Sequence, residues 1–209
     1  DAPVCSGYQH NDSFPGSHPL AVGPLGYNGS KAAMQLIAKA DVVLALGTRL
    51  NPFSTLPGYG IDYWPKNAKI IQVDMNPDRI GLTKKVTVGI AGDAKMVSQQ
   101  ILAKLNSSAG NNEREERKNL IHQTKSAWLQ TLTGLDHEED DPGTVWNKEA
   151  RERDKDRMSP RQAWRAIQAA MPENAIISSD IGNNCAIGNA YPTFEKPRKY
   201  LAPGLFGPC

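Results

Sequence analysis

Apolar residues recur at helical spacing in SKAAMQLIAKAD, where Ala33, Leu36, Ile37 and Ala40 share one face and Ser30 stands where an N-cap belongs. The pattern then changes to VVLALG, an apolar run from Val42 to Leu46 with no polar alternation and a glycine at its end. Such a run reads as a strand buried on both faces, as in a parallel sheet. KIIQVD is a second run of this kind and VTVGI a shorter third. The third leads through Gly92-Asp93 into AKMVSQQILAKL, a helical pattern that Asp93 can cap. This order of elements predicts an α/β fold with a doubly wound, mostly parallel sheet. Residues 1–29 are dense in Gly, Pro, Ser, His and Asn and read as ordered loop.

After Leu105 the composition shifts to NSSAGNNEREERKN, with a helix predicted from Glu113 to about Thr133. DHEEDDPG and NKEARERDKDR follow and read as a solvated, charged linker. In MSPRQAWRAIQAAM, Ser159 is the N-cap, Pro160 the first helical residue, and Gln162 falls where a capping box wants Gln or Glu. AIISSD then supplies a buried strand. The chain thus divides into a central nucleotide-type α/β domain (1–106), a helical and charged linker (107–158) and the truncated start of a second α/β unit (159–209). Asp1 in place of a start Met, and an end inside the turn-rich YLAPGLFGPC, suggest a piece of a longer chain. The last fifty residues are therefore expected to be poorly ordered or to borrow contacts from a neighbouring chain.

Composition narrows the partners. The 209 residues carry 24 Lys and Arg against 22 Asp and Glu, a net charge of +2, which leaves no electrostatic footprint for nucleic acid or an anionic membrane. Small molecules remain. Cys5, Cys185 and Cys209 lack the spacing of a zinc site or a disulfide framework and point to a reducing, cytoplasmic setting. No apolar run is long enough to span a bilayer. His10, His18, His122 and His137 have no partner spacing for a metal or a catalytic triad.

Ligands of open α/β sheets gather at the carboxyl ends of the strands. Three ends are informative: Gly47-Thr48-Arg49, where Arg49 can clamp a phosphate; Asp74, placed to suit a ribose hydroxyl; and Gly92-Asp93 at a helix start. Together they outline a nucleotide-sized crevice, although Arg49 serves equally as a surface ion pair and the acids as caps. Neither GxGxxG nor GxxxxGK[ST] is present. SSDIGNNCAIG is a second strand-to-helix turn, able to offer backbone N–H groups to a diphosphate or simply to be a capped turn.

The ordered motifs HPLAVGPLGYNG, ADVVLALGTRL, AKIIQVDMNPDRIG, GIAGDAKMV, MSPRQAWRAI and ISSDIGNNCAIG…PRKYLAPGLFGPC resemble thiamine-diphosphate enzymes of the acetolactate synthase group. The resemblance covers nearly the whole chain apart from the charged linker. Within the group, GYQHNDSFPGSHPL, LNPFSTLPGYGIDYWP and LFGPC look like the sulfoacetaldehyde acetyltransferase family. That likeness implies conversion of sulfoacetaldehyde and phosphate into acetyl phosphate and sulfite by a cytoplasmic homodimer or homotetramer using thiamine diphosphate and magnesium. It implies that Asp180, Gly182 and Asn183 meet the diphosphate, and that Gly204, Phe206, Gly207 and Cys209 lie beside the cofactor rings. No catalytic or metal-ligating residue falls in this chain by that correspondence: the activating glutamate lies before Asp1 and the magnesium ligands beyond Cys209, so the chain by itself is expected to be inactive. Acetolactate synthases carry His at Asn28 and an Asp-Asp-Arg stretch at Asn51-Pro52-Phe53, both flavin contacts, so FAD is not expected here. An ADP-type nucleotide on Arg49, Asp74 and Asp93 stays open. So do an acetolactate synthase or oxalyl-CoA decarboxylase relative, and a non-catalytic adenine-nucleotide-binding or structural domain.

Overall fold

The computed structural model describes residues 2–26, 28–105, 112–137, 158, 160–180 and 182–202. Every strand pair in it is parallel. β1 (Val4–Ser6) pairs with β2 (Ala21–Pro24); β3 (Val42–Leu46), β4 (Lys69–Asp74) and β5 (Val88–Ala91) form a sheet in that order; β6 (Ile177–Ser178) pairs with β7 (Tyr200–Leu201). Parallel neighbours need crossovers: α5 (Asn183–Ala190) supplies the one between β6 and β7, whereas β3–β4 and β4–β5 are joined through loops with 3-10 turns at Pro52–Ser54 and Pro77–Arg79, and the other helices flank the strands, α1 (Lys31–Ile37) before β3, α2 (Ala94–Leu105) after β5, then α3 (Asn112–His137) and α4 (Pro160–Ala170). The α/β architecture expected from the hydrophobic runs is present.

Local chemistry places the helix starts. Ser30 Oγ accepts from the Ala33 amide at 3.2 Å, and Asp93 Oδ1 accepts from the Met96 amide at 2.9 Å, so both caps act as anticipated. α4 begins at Pro160, while Ser159 lies outside the described residues, as does the charged stretch 138–157. α3 runs past both predicted ends.

Two expectations are corrected. Residues 1–29 are not loop alone, because they hold β1 and β2; strands of three and four residues, one containing Gly23 and Pro24, leave no hydrophobic run to read. β3 is not buried on both faces: Ala45 is buried, yet Val42, Leu44 and Leu46 are 48%, 44% and 41% exposed. The cause is position. β3 is an edge strand, and its alternate residues find no layer of the described structure over them, whereas Val73 of the central β4 is fully buried on the same face.

The principal core joins Val22 of β2 and Leu25 just beyond it with Met34, Leu36 and Ile37 of α1, Tyr63, and Ile121 of α3. Ile121 is 1% exposed, so the helix expected to belong to a linker anchors on the first unit. A second cluster of Ala45, Leu50 and Ile70 meets the first through Val43 and Trp64, which touch both. Gln72 lies inside β4 and is 1% exposed. Its Nε2 donates to the carbonyls of Thr48 (2.9 Å) and Arg79 (3.3 Å), and its Oε1 accepts from the Gly81 amide (2.9 Å). One satisfied amide thus fixes the loops at two strand ends. Gly26, at φ 89°, is held by close approach: a Cβ there would lie 1.8 Å from the Phe53 carbonyl oxygen. No helix among the described residues is long and apolar enough to cross a membrane.

Burial pushes the Cys5 thiol up from 9.0 to about 11 and the Tyr63 phenol up from 10.0 to about 12. Between 9 and 11 the unfolded chain releases a thiol proton that the folded chain keeps, so stability falls as pH rises through that window. Urea titrations at about pH 8 and about pH 10.5 are expected to differ by about 2 kcal/mol, with Cys5→Ala flattening the difference. Equal stability at the two pH values would contradict the desolvation of the half-buried Cys5 thiol.

Candidate functional site

The strand-end crevice comes out differently from its three parts. Asp74 is buried, and its Oδ1 accepts from the Asn76 amide at 2.9 Å, closing the turn after β4. Asp93 is the α2 cap described above. Both carboxylates therefore hold backbone. Arg49 is exposed, its carbonyl accepting from Thr83 Oγ1 at 2.8 Å, and its guanidinium meets no hydrogen-bond or ion-pair partner among the described residues. Asn51 Oδ1 accepts from the Phe53 amide (2.7 Å) to open a 3-10 turn over Pro52–Ser54, and Phe53 stacks on Tyr8 at 5.7 Å.

The turn between β6 and α5 is the better-formed site. Asp180 is exposed, with its carbonyl accepting from Ser179 Oγ at 3.2 Å. Gly182 follows at φ 83° and ψ −149°, a conformation open essentially to glycine, and Asn183 opens α5. A helix N-terminus entered through glycine presents backbone N–H groups with no side chain in front of them, which suits an anion. Gly204, Phe206, Gly207 and Cys209 lie outside the described residues.

Behind that turn is a polar clamp that the sequence reading missed. Gln9 takes a left-handed φ of 67°. Its amide donates to Asn189 Oδ1 at 2.8 Å and its Nε2 to Cys185 Sγ at 2.9 Å. Asn11 Nδ2 donates to the carbonyls of Asn189 (2.8 Å) and Gly188 (3.4 Å). Asp12 Oδ2 accepts from the amides of both Lys199 (2.8 Å) and Tyr200 (3.1 Å), tying down β7. The Gly16 amide donates to the Phe194 carbonyl, and Ser17 donates twice to the Glu195 carboxylate. Cys185, Asn189, Phe194 and Tyr200 are all buried.

α5 and β7 are held in this chain by hydrogen bonds from residues 9–12. The clamp has a local cost. Asn11 Oδ1 is buried without a donor, because turning the amide over would abandon two carbonyls. The signal in the sequence was the density of short polar side chains in QHNDS, but nothing local says that the backbone they serve lies almost 180 residues away.

Comparison with known proteins bears on residues that include much of this site. Residues 1–104 match the family model described as thiamine pyrophosphate enzyme, central domain. Across its whole length the chain is 78% identical to a probable sulfoacetaldehyde acetyltransferase of Rhizobium meliloti and 77% identical to a sulfoacetaldehyde acetyltransferase of Roseovarius nubinhibens, spanning 35% of the length of each. It is 27% identical, over 98% of its length and 33% of the relative's, to a probable acetolactate synthase large subunit of Methanococcus aeolicus.

Asp12→Ala strips the acceptor from two backbone amides, that of Tyr200 buried, and is expected to cost about 2 kcal/mol, with earlier tryptic cleavage at Arg198 and Lys199. Asp12→Asn keeps one acceptor oxygen and is expected to lose less. Wild-type trypsin resistance in Asp12→Ala would show that the clamp does not hold β7.

Proposed function

With residues 1–104 belonging to the thiamine pyrophosphate enzymes through their central domain, we propose that the chain is part of a thiamine-diphosphate-dependent sulfoacetaldehyde acetyltransferase. Its reaction takes sulfoacetaldehyde and phosphate to acetyl phosphate and sulfite. The observation that carries this reading is identity near four-fifths, sustained from end to end, to relatives of that name, against little more than a quarter to an acetolactate synthase. The chain spans about a third of those relatives, so activity belongs to the longer protein.

The β6–α5 turn fits a diphosphate: Gly182 leaves room for close backbone approach, and the first amides of α5 supply donors. Asp180, Gly182 and Asn183 hold it in this reading, while Gln9, Asn11 and Asp12 keep α5 and β7 in position. Gly204, Phe206, Gly207 and Cys209 are assigned to the cofactor rings by family likeness. Thiamine diphosphate, when bound, supplies the carbon nucleophile that adds to the aldehyde. Magnesium, a dimeric or tetrameric parent and a cytoplasmic location belong to the same proposal. A second use of the fold, an adenine nucleotide at the β3–β5 ends, is favoured by Arg49, whose guanidinium has no partner among the described residues, two positions after Gly47, and predicts ADP binding that Arg49→Ala removes.

The parent enzyme, given sulfoacetaldehyde, phosphate, thiamine diphosphate and magnesium, is expected to form acetyl phosphate and sulfite together. Gly182→Ala in that enzyme is expected to raise the thiamine diphosphate concentration needed for half activity by about tenfold or more, since the Cβ strains the turn by about 1–3 kcal/mol. Consumption of pyruvate to acetolactate without release of sulfite would overturn the assignment.

A further inference from the structure

A cavity of ≈ 720 Å³ opens beside the β1–β2 pair, with α3 on one side and α4 and the residues after α5 on the other. The volume suits a small molecule. Its lining is chemically one-sided. Lys125 comes from α3, Arg161 and Arg165 from α4, and the described lining residues include no Asp or Glu, in a chain whose charges nearly balance. Arg161 and Arg165 also engage other groups, so the Lys125 ammonium is the one best placed to meet an anion in this partly enclosed space.

Lys125 is the best-defined of the three. Its Nζ donates to the His18 carbonyl at 3.2 Å, its one hydrogen bond among the described residues, and it has no ion pair there. Loss of solvent pulls its pKa down, against a smaller opposing pull from Glu195, whose carboxylate oxygens already accept from the Ser17 amide and hydroxyl. An ammonium desolvated in this way gains more from an anionic partner than one in open water. The walls around it are flat and apolar. Trp128 and Trp164 face the space from α3 and α4, with Tyr191 beside them under the Arg161 guanidinium, 5.7 Å from ring centre to Cζ.

We propose that this cavity binds a small aromatic carboxylate or sulfonate, its ring among Trp128, Trp164 and Tyr191 and its anionic head on Lys125, with Arg161 and Arg165 adding positive potential. The site is independent of the reaction assigned above, since it rests on other residues and needs no cofactor.

Calorimetric titration of the 209-residue chain with 2-naphthoate and with the neutral 2-naphthamide tests it. The carboxylate is expected to bind about tenfold or more tightly than the amide, and to weaken as salt is raised. Lys125→Gln and Arg165→Gln should each weaken naphthoate about fivefold or more and leave naphthamide unchanged, while Lys66→Gln, at an exposed ion pair with Asp62, changes neither. Arg165 is exposed and Lys125 half-buried, so neither variant opens the core, and circular dichroism verifies the fold. Equal affinity for the two probes, no binding of naphthoate into the millimolar range, or an unaltered naphthoate affinity in Lys125→Gln would each overturn the proposal.

Discussion

A single carboxylate receiving two backbone amides, Asp12 to Lys199 and Tyr200, is the interaction on which the second half of this chain depends. The β6–β7 pair has two residues in each strand, and a two-stranded ladder of that length has no stability of its own in water. α4 buries none of its residues. What positions the second unit is therefore less a hydrophobic core than a set of charge-assisted and amide hydrogen bonds from residues 9–17, closed over by Cys185, Phe194 and Tyr200. Such bonds are directional, so they fix the orientation of α5 as well as its place. An anion-receiving turn is useful only when its N–H groups point consistently, and here that consistency comes from the other unit.

The first unit was readable because its signals are local. The runs VVLAL and KIIQVD coincide with β3 and β4 to the residue, and Ser30 and Asp93 cap the helices they precede. Periodicity and capping require only neighbours within a few positions. β1 and β2 escaped notice for the converse reason: a short parallel pair acquires its identity from its partner strand and the layer beneath, neither of which leaves a trace in three or four residues. The exposure of Val42, Leu44 and Leu46 was hidden too, since an apolar run says what a strand could bury and not what lies over it.

The sites divide along the same line. Gly182 was legible, because a glycine between a strand and a helix announces an unusual backbone, and it has one. Asp74 and Asp93 were legible as acids at strand ends but ambiguous in role, and in the fold each is engaged by an amide two or three residues on. Gln72 sits in a run otherwise almost wholly apolar, where its polarity hinted at a buried obligation, yet only the loops it ties reveal the obligation as structural. Gln9 and Asn11 gave no such hint, because polar residues in a turn-rich segment are what solvent alone would select.

The clamp also joins segments that lie far apart in the chain. Helix α1 and the β3–β4–β5 layer join segments within roughly fifty positions of one another, whereas Gln9 meets Asn189 across a separation of 180. Closing a loop that long carries a large entropy, most of it set by the span and little reduced by whatever forms inside one end. The contacts that repay it appear only when α5 and β7 exist to receive them. The residues that fasten the two units together thus make contacts of very large sequence separation, the kind a chain closes at the greatest entropic cost.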